Sequence, residues 1–302
     1  MNTAADSRDA DEGASALQAL LPALRRWPDV EAPNLFAADA SDRLILDTCA
    51  AASGTGSWPA SIAVIGDHYG ALALCSLALG STSVRVHTDS LTARRAIEAN
   101  LARLMPEAAE RLDFFPLQQV AAQASVVLLA LPRGLDVLGE QAAAVAAVAA
   151  PGARLFAGGR IKHMSRSMNE VLAAHFERVD VSLARQKSRV LTASSPRAEQ
   201  PSSSFPATAT HQVRGTSFTL HAGAGTFGNA RLDPGTRLLL ENLPDLSEHS
   251  TLVDLACGNG SIGIYAALRN PQLRVDASDH SASAVASTLA ARFGDRMRIV
   301  EP

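Results

Sequence analysis

The stretch Thr251–Leu252–Val253–Asp254–Leu255–Ala256–Cys257–Gly258–Asn259–Gly260–Ser261–Ile262–Gly263–Ile264 constrains this chain more than any other. Thr251 to Leu255 is short, apolar and partly β-branched, the pattern of a buried central strand in a parallel sheet. Gly258 and Gly260 then allow a sharp turn and a close approach of backbone to a ligand. The apolar run from Ile262 reads as a helix whose first N–H groups face that ligand. A second strand, Leu273 to Ser278, ends on Asp279, 25 residues after Asp254, where a βαβ unit places a carboxylate for ribose hydroxyls. A tight βα turn alone occurs in α/β domains that bind nothing. Strand, glycine turn, helix, strand and terminal acid in order favour a ligand site.

The class of ligand turns on detail. A dinucleotide turn wants G-x-G-x-x-G, whereas the small residues here are Ala256, Gly258, Gly260 and Gly263. Asp254 stands just ahead of the turn, where it would repel a pyrophosphate and attract the cationic amino-acid end of S-adenosylmethionine. Val253 to Gly260 therefore resembles motif I of class I methyltransferases, with alanine in place of the usual first glycine. The resemblance implies a donor site formed by Asp254, Ala256, Cys257, Gly258, Asn259 and Gly260, with Asp279 on the ribose. His280, next to it, reads as a solvent-facing helix start, with a contact to adenosine as the alternative.

Length allows two domains, and 47% hydrophobic against 19% charged residues is an ordinary globular balance. The net charge of −3 hides an uneven distribution: residues 1–60 carry −5, residues 61–197 carry +4 and residues 198–302 carry −2. Residues 154–189 alone carry +5, with Arg160, Lys162, Arg166, Arg185, Lys187 and Arg189 as candidate phosphate contacts; a solvated basic face is the competing reading. Cys49, Cys75 and Cys257 lack disulfide or metal spacing and the eight histidines form no ligand set, so no metal is expected. The polar, acidic N-terminus is no signal peptide, and the alanine-rich run Gln141 to Ala150 is too short to span a bilayer. A cytoplasmic monomer is expected.

Residues 1–14 read as a disordered tail and Ser15 to Arg26 as an amphipathic helix. Ala50 to Trp58 reads as a loop. Strands are expected at Ile62–Gly66, Val84–Thr88, Leu112–Pro116, Ser125–Leu131 and Arg154–Ala157, alternating with helices, and a closing pair at Val179–Ala184 and Ser188–Thr192. This alternation predicts a doubly wound sheet. Residues 196–210, rich in Ser, Pro, Ala and Thr, read as a linker. Val213 to Leu220 reads as one strand, Gly223 to Gly228 as a glycine-rich loop, and Thr236 to Leu243 as a helix opened by Asp233–Pro234–Gly235. The two halves repeat one plan: Asp67–His68–Tyr69–Gly70 stands where Cys257–Gly258–Asn259–Gly260 stands, and Asp89 where Asp279 stands, but the first copy lacks the G-x-G turn.

Phe227–Gly228–Asn229–Ala230–Arg231–Leu232–Asp233–Pro234–Gly235, followed by Val253 to Gly263 and Val275 to Val285, is similar to the rRNA guanine-N2 methyltransferases of the RsmC and RlmG type. Ile65 to Leu72, Leu129 to Arg133 and Gln186 to Arg189 carry a looser match in the first half. The resemblance implies an α/β protein of tandem Rossmann-like methyltransferase domains: a degenerate one over 15–195, and a donor-binding one whose N-terminal half, about three strands of its main sheet, spans 211–302. It also implies an Asn-Pro-Pro-Phe motif that holds the target amine, which these 302 residues do not contain, so no catalytic residue is assigned and impaired activity is expected of the chain as written. Phe227 is expected over the donor or the target base, or else as a core anchor.

The function so implied is transfer of a methyl group from S-adenosylmethionine to the exocyclic N2 of a guanine in ribosomal RNA. Two other classes stay open: a non-catalytic RNA-binding protein or fragment, favoured by the basic stretch, and a nucleotide-dependent oxidoreductase, disfavoured by Asp254 and the missing glycine pattern.

Overall fold

The computed structural model describes residues 15–53, 58–201, 204–291 and 293–300. The expected tail at 1–14 and the loop residues Gly54 to Ser57 lie outside them. Contacts divide the chain into two compact units. The first runs to Thr88 and from Thr92 to Pro201; the second comprises Asp89–Leu91 and the residues after Pro201.

The first unit follows the order α1 (15–23), α2 (Ala40–Ala52), β1 (Ser61–Ile65), α3 (Ala73–Ala78), β2 (Ser83–His87), α4 (Leu91–Leu104), β3 (Leu112–Phe114), α5 (Leu117–Val120), β4 (Val126–Ala130), α6 (Leu135–Val148), β5 (Arg154–Arg160), α7 (Arg166–His175), β6 (Phe176–Val181) and β7 (Ser188–Pro196). Its seven-stranded sheet has the order β3-β2-β1-β4-β5-β7-β6. The first five strands are parallel, while β7 runs antiparallel to both β5 and β6. Alternate residues of each strand feed opposite faces, as a period of two requires. Ile62, Val64, Val84, Val86, Leu128 and Phe156 join a core with α1 to α4, and Ala63, Ile65, Val127, Leu129, Leu155 and Ala157 join one with α5 to α7. Burying each of the larger side chains contributes about 1.5–3 kcal/mol.

Helix α2 corrects the loop expected from Ala50, because Ala50–Ala52 form its last turn. Its start is fixed by a capping box in which the Asp39 side chain accepts the backbone N–H of Ser41 and Asp42, and Asp42 accepts that of Asp39. The helix lies against β5 because Gly158 carries no side chain; a Cβ there would stand 2.3 Å from Ile45 Cγ1.

The second unit opens with a hairpin, correcting the single strand expected at Val213 to Leu220. Strands β8 (Ala207–Val213) and β9 (Thr216–Ala222) pair antiparallel with Val213 opposite Thr216. Arg214 and Gly215 between them take φ of 46° and 82°, the positive pair a two-residue hairpin turn needs. The expected linker is correspondingly shorter, since Pro196 ends β7 and Ala207 begins β8. Helix α8 (Pro234–Glu241) follows, N-capped by Asp233, then β10 (Thr251–Leu255), α9 (Ser261–Arg269), β11 (Arg274–Ser278), α10 (Ala282–Leu289) and β12 (Met297–Ile299). The last three strands pair in parallel in the order β10-β11-β12. Phe218, Leu220, Leu240, Tyr265, Leu273 and Val275 form the core. In strand β10 only Asp254 is buried, while Val253 and Leu255 are 61% and 75% exposed. Its single strand neighbour among the described residues is β11, which accounts for that exposure.

Candidate donor site

Strand β10 delivers Asp254 to the floor of the site, and the chain then turns through Ala256, Gly258 and Gly260 with φ of 57°, 54° and 78°. Left-handed backbone at Ala256, where the sequence departs from the usual glycine, costs about 1–2 kcal/mol. The turn is held to the end of β11: Cys257 N–H donates to the Ser278 carbonyl at 3.0 Å, and Gly258 N–H to Asp279 Oδ2 at 2.9 Å. Gly260 N–H closes the turn on the Cys257 carbonyl at 2.8 Å.

The two turn glycines do different work. A Cβ on Gly260 would stand 2.9 Å from Thr288 Oγ1 and 3.1 Å from Ile264 Cδ1, so its bareness serves packing of α9 and α10. A Cβ on Gly258 would meet nothing within 4 Å. Gly258 therefore faces open space beside the N-terminus of α9, as a ligand-facing backbone should.

Asp279 borders that turn through the Gly258 N–H, and Asp254 lies beneath the first turn of α9. Asp254 is buried, and its Oδ2 accepts the Gly263 N–H at 3.0 Å. Burial pushes its pKa up; the Gly263 hydrogen bond opposes this, and the nearby Asp279 carboxylate adds to it. A buried acid whose neighbour is also an acid stabilises an incoming cation. Asp279 is 9% exposed; Oδ1 accepts the Ser281 N–H at 2.9 Å and Oδ2 that of Gly258. Each oxygen retains a lone pair for a hydroxyl donor. His280 is 69% exposed beside it, with Nδ1 3.4 Å from Asp279 Oδ1.

The glycine-rich loop borders the same turn. Asn259, a predicted donor contact, spends its side chain elsewhere: Nδ2 donates to the carbonyls of Asn229 at 2.9 Å and Arg231 at 3.2 Å, and Oδ1 accepts from Ser261. His211 Nε2 lies 2.8 Å from the Ala230 carbonyl. Thr226 is buried and shares a hydrogen bond of 2.9 Å with Ser287 Oγ, which also takes the Gly223 N–H at 3.3 Å. Thr288, one residue on, donates to Cys257 Sγ at 3.4 Å and the Gly258 carbonyl at 3.3 Å. Lashed down in this way, the loop holds Phe227 outward at 77% exposure, which excludes the core-anchor reading. Cys257 is the small buried residue its place in the turn suggests, and burial raises its thiol pKa.

The structure thus brings Asp254, Ala256, Cys257, Gly258, Asn259, Gly260 and Asp279 to one turn, with the loop of Phe227 tied to it through Asn259. Sequence reading missed Thr226, Ser287 and Thr288. The available signal was the spacing of hydroxyls on α10, where Ser283 and Ser287 lie four residues apart, with Thr288 beside them.

In the first unit the corresponding turn is closed. Asp67 is buried and accepts backbone N–H from Gly70 and Ala71 on Oδ1, and from Leu72 and Ala73 on Oδ2, at 2.8–3.1 Å. The basic candidates Arg160, Lys162, Arg166, Arg185, Lys187 and Arg189 all belong to this unit. Of these, Arg185 pairs with Asp47 at 3.0 Å, and Arg160 lies 3.8 Å from Asp39.

Two family models match. Residues 15–197 match the RLMG N-terminal domain, and residues 217–298 the methyltransferase small domain. A curated relative, ribosomal RNA large subunit methyltransferase G of Pseudomonas entomophila, is 35% identical over 265 residues, which is 87% of this chain and 69% of the relative. The chain belongs to the ribosomal RNA large subunit methyltransferase G family. The enzyme of that name from Shewanella sp. strain ANA-3, also in this family, is 31% identical over 88% of the chain and 69% of its own length. The solved T. thermophilus 16S rRNA N2 G1207 methyltransferase, in complex with AdoMet and guanosine, matches with a TM-score of 0.66 at 19% identity. The match covers 86% of this chain and 68% of that one, and establishes a shared α/β methyltransferase fold. Among the described residues no group of side chains could hold a metal ion, and no helix is long and apolar enough to cross a membrane.

Proposed function

We propose that this family member binds S-adenosylmethionine at the Gly258 turn and methylates the exocyclic N2 of a guanine in ribosomal RNA. The observation that carries the reading is the open face of Gly258, whose N–H is held by Asp279 just past β11, with the buried Asp254 beneath the start of α9. A cationic ligand with ribose hydroxyls suits that pair; a pyrophosphate does not. Asp254 would attract the ammonium end, the backbone from Ala256 to Gly260 would take the carboxylate end, and Asp279 would accept from the ribose. Phe227 would cover the adenine or the target base from outside.

The donor supplies a sulfonium-activated methyl group, so the protein's task is positioning rather than acid–base chemistry. The guanine N2 lone pair forms the new N–C bond as the S–C bond breaks. The sulfur keeps that bonding pair as a thioether, and the amine releases a proton to solvent. The guanine must leave its stack to be reached. In this reading residues 15–195 form a degenerate methyltransferase-like domain and residues 211–302 carry the donor half. Arg160, Lys162, Arg166, Arg185, Lys187 and Arg189 contribute phosphate contacts, and the protein works as a cytoplasmic monomer.

Calorimetry on the chain tests the donor site. S-adenosylmethionine is expected to bind and NAD not. Asp279→Ala should weaken the donor by about 1–3 kcal/mol through loss of charge-assisted hydrogen bonds. Preference for NAD, or unchanged donor affinity in the variant, would overturn the assignment. Transfer of a labelled methyl group to guanine in ribosomal RNA, with adenine and cytosine unlabelled, tests the acceptor.

A further inference from the structure

The first unit has a closed donor turn but an open cavity beside it. About 600 Å³ in volume, it lies past the C-terminal ends of β1, β4 and β5, lined by segments including Gly66–Tyr69 and Ala130–Arg133. Strand β1 pairs with β2 on one side and β4 on the other, so this is the switch point of the sheet, the place where open α/β sheets bind ligands. Asp67 fills only the helix N-terminus at that point.

The cavity wall is cationic. Arg133, Arg160, Lys162 and His163 all line it. Arg160 Nε is buried without a hydrogen-bond partner among the described residues, while its Nη1 lies 3.8 Å from Asp39 Oδ2. A buried unpaired guanidinium N–H is costly unless a ligand takes it. Lys162 and Arg133 are exposed and form no ion pair among the described residues. His163 is held below its ordinary pKa by desolvation and then by Arg133, Lys162 and Arg160. Of the three acids that line the cavity, Asp39 and Asp42 are engaged in the capping box of α2, and Asp67 in the N–H groups of the turn before α3. Phe36 lines the same cavity at 74% exposure, an aromatic face open to a base.

We propose that this cavity binds a phosphate-bearing nucleotide, with the phosphate on Arg133, Arg160 and Lys162 and the base against Phe36. The nucleotide comes either free or as one residue of a single-stranded RNA. The proposal rests on the RNA-substrate reading only for the second source.

The test titrates guanosine 5′-monophosphate, guanosine and a short fluorescein-labelled single-stranded RNA into the full chain, with S-adenosylmethionine titrated in parallel. At least one phosphate-bearing probe should bind. Arg160→Gln and Lys162→Gln should each weaken it about tenfold, as for loss of a charge-assisted hydrogen bond. Arg178→Gln, on β6 and outside the cavity, should change it less than about twofold. Arg160→Lys should recover part of the loss. Guanosine binding much more weakly than its monophosphate supports the site with free nucleotide as its source, and saturation by the RNA alone supports it with the strand as its source. Absence of binding by both phosphate probes, equal losses in Arg178→Gln, or guanosine binding as tightly as the monophosphate would overturn it. Failure of S-adenosylmethionine to bind in the same samples would count against the donor reading and leave the nucleotide titration standing.

Discussion

The first βα turns of the two units start from similar strands and end differently. After β1, Gly66 is followed by Asp67, whose two oxygens collect the N–H groups of Gly70, Ala71, Leu72 and Ala73. After β10, the acid stands inside the strand instead, and Asp254 takes a single N–H, that of Gly263. The position corresponding to Asp67 is Cys257, whose side chain packs under the turn against Thr288. One carboxylate moved three residues along the chain therefore separates a helix N-terminus that satisfies itself from one that faces open space.

The largest effect should come from breaking the self-satisfied turn. Asp67→Ala leaves four buried N–H groups without their acceptor and is expected to destabilise the first unit by about 3–5 kcal/mol. Thermal unfolding monitored by circular dichroism measures it, with S-adenosylmethionine affinity as the control for the second unit. A loss no larger than that of an exposed substitution would mean that Asp67 does not organise its turn, and the contrast would collapse.

A smaller effect distinguishes the two glycines of the open turn. Gly260→Ala should cost about 1–3 kcal/mol of stability, because the new methyl meets Thr288 and Ile264 as well as a left-handed backbone. Gly258→Ala pays only the backbone term of about 1 kcal/mol but should lower donor affinity more than stability, since its methyl projects into free space. If Gly258→Ala left donor binding untouched, the open space beside it would not be the site.

How far these differences were legible beforehand follows from what each residue touches. The alternation of apolar runs foretold the parallel strands of the first unit, because Ile62 to Ile65 and Val126 to Leu129 are buried on both faces. The turn at Gly258 is legible because its glycines and acids are local in sequence. Helix α2 is harder to read: Asp39 and Asp42 spell its capping box, but its apolar face is completed by Gly158, more than a hundred residues away. The β8–β9 hairpin is obscured because Arg214–Gly215 is a less familiar turn pair than Asn-Gly. The role of Asn259 is hidden because its partners, Asn229 and Arg231, are 28 or more residues distant.

The carboxylate inside the strand should also make the second turn sensitive to pH. Asp254 titrates above the ordinary carboxylate range because it is buried, and more so because Asp279 is near. A cationic donor favours its ionised form, so affinity is full above that raised pKa and falls as pH drops through it. The decline is at most about 1.4 kcal/mol per pH unit. Calorimetric titrations of S-adenosylmethionine from pH 8 downward check this, and Asp254→Asn should bind more weakly at pH 8 with a flatter profile. An unaltered slope in that variant would assign the pH dependence to another group.

The smallest effect sharpens the comparison furthest. Thr288 is buried on α10 and donates to the Gly258 carbonyl at 3.3 Å and to Cys257 Sγ at 3.4 Å. Ser287 beside it holds Thr226 and Gly223 of the other loop. The open turn, lacking an acid of its own, is thus steadied from outside by the Thr288 hydroxyl, and the neighbouring loop by that of Ser287. Thr288→Val keeps the shape and removes the donor, so it should cost about 1 kcal/mol or less in stability. Its effect on the donor should be of similar size, because a mobile Gly258 must be ordered again on binding. Hydrogen exchange at Gly258 and Gly260 should accelerate in the variant while exchange at Gly70 to Ala73, tied by Asp67, stays unchanged. Equal acceleration at both turns would mean that Thr288 acts through global stability, and that the open turn has its support elsewhere.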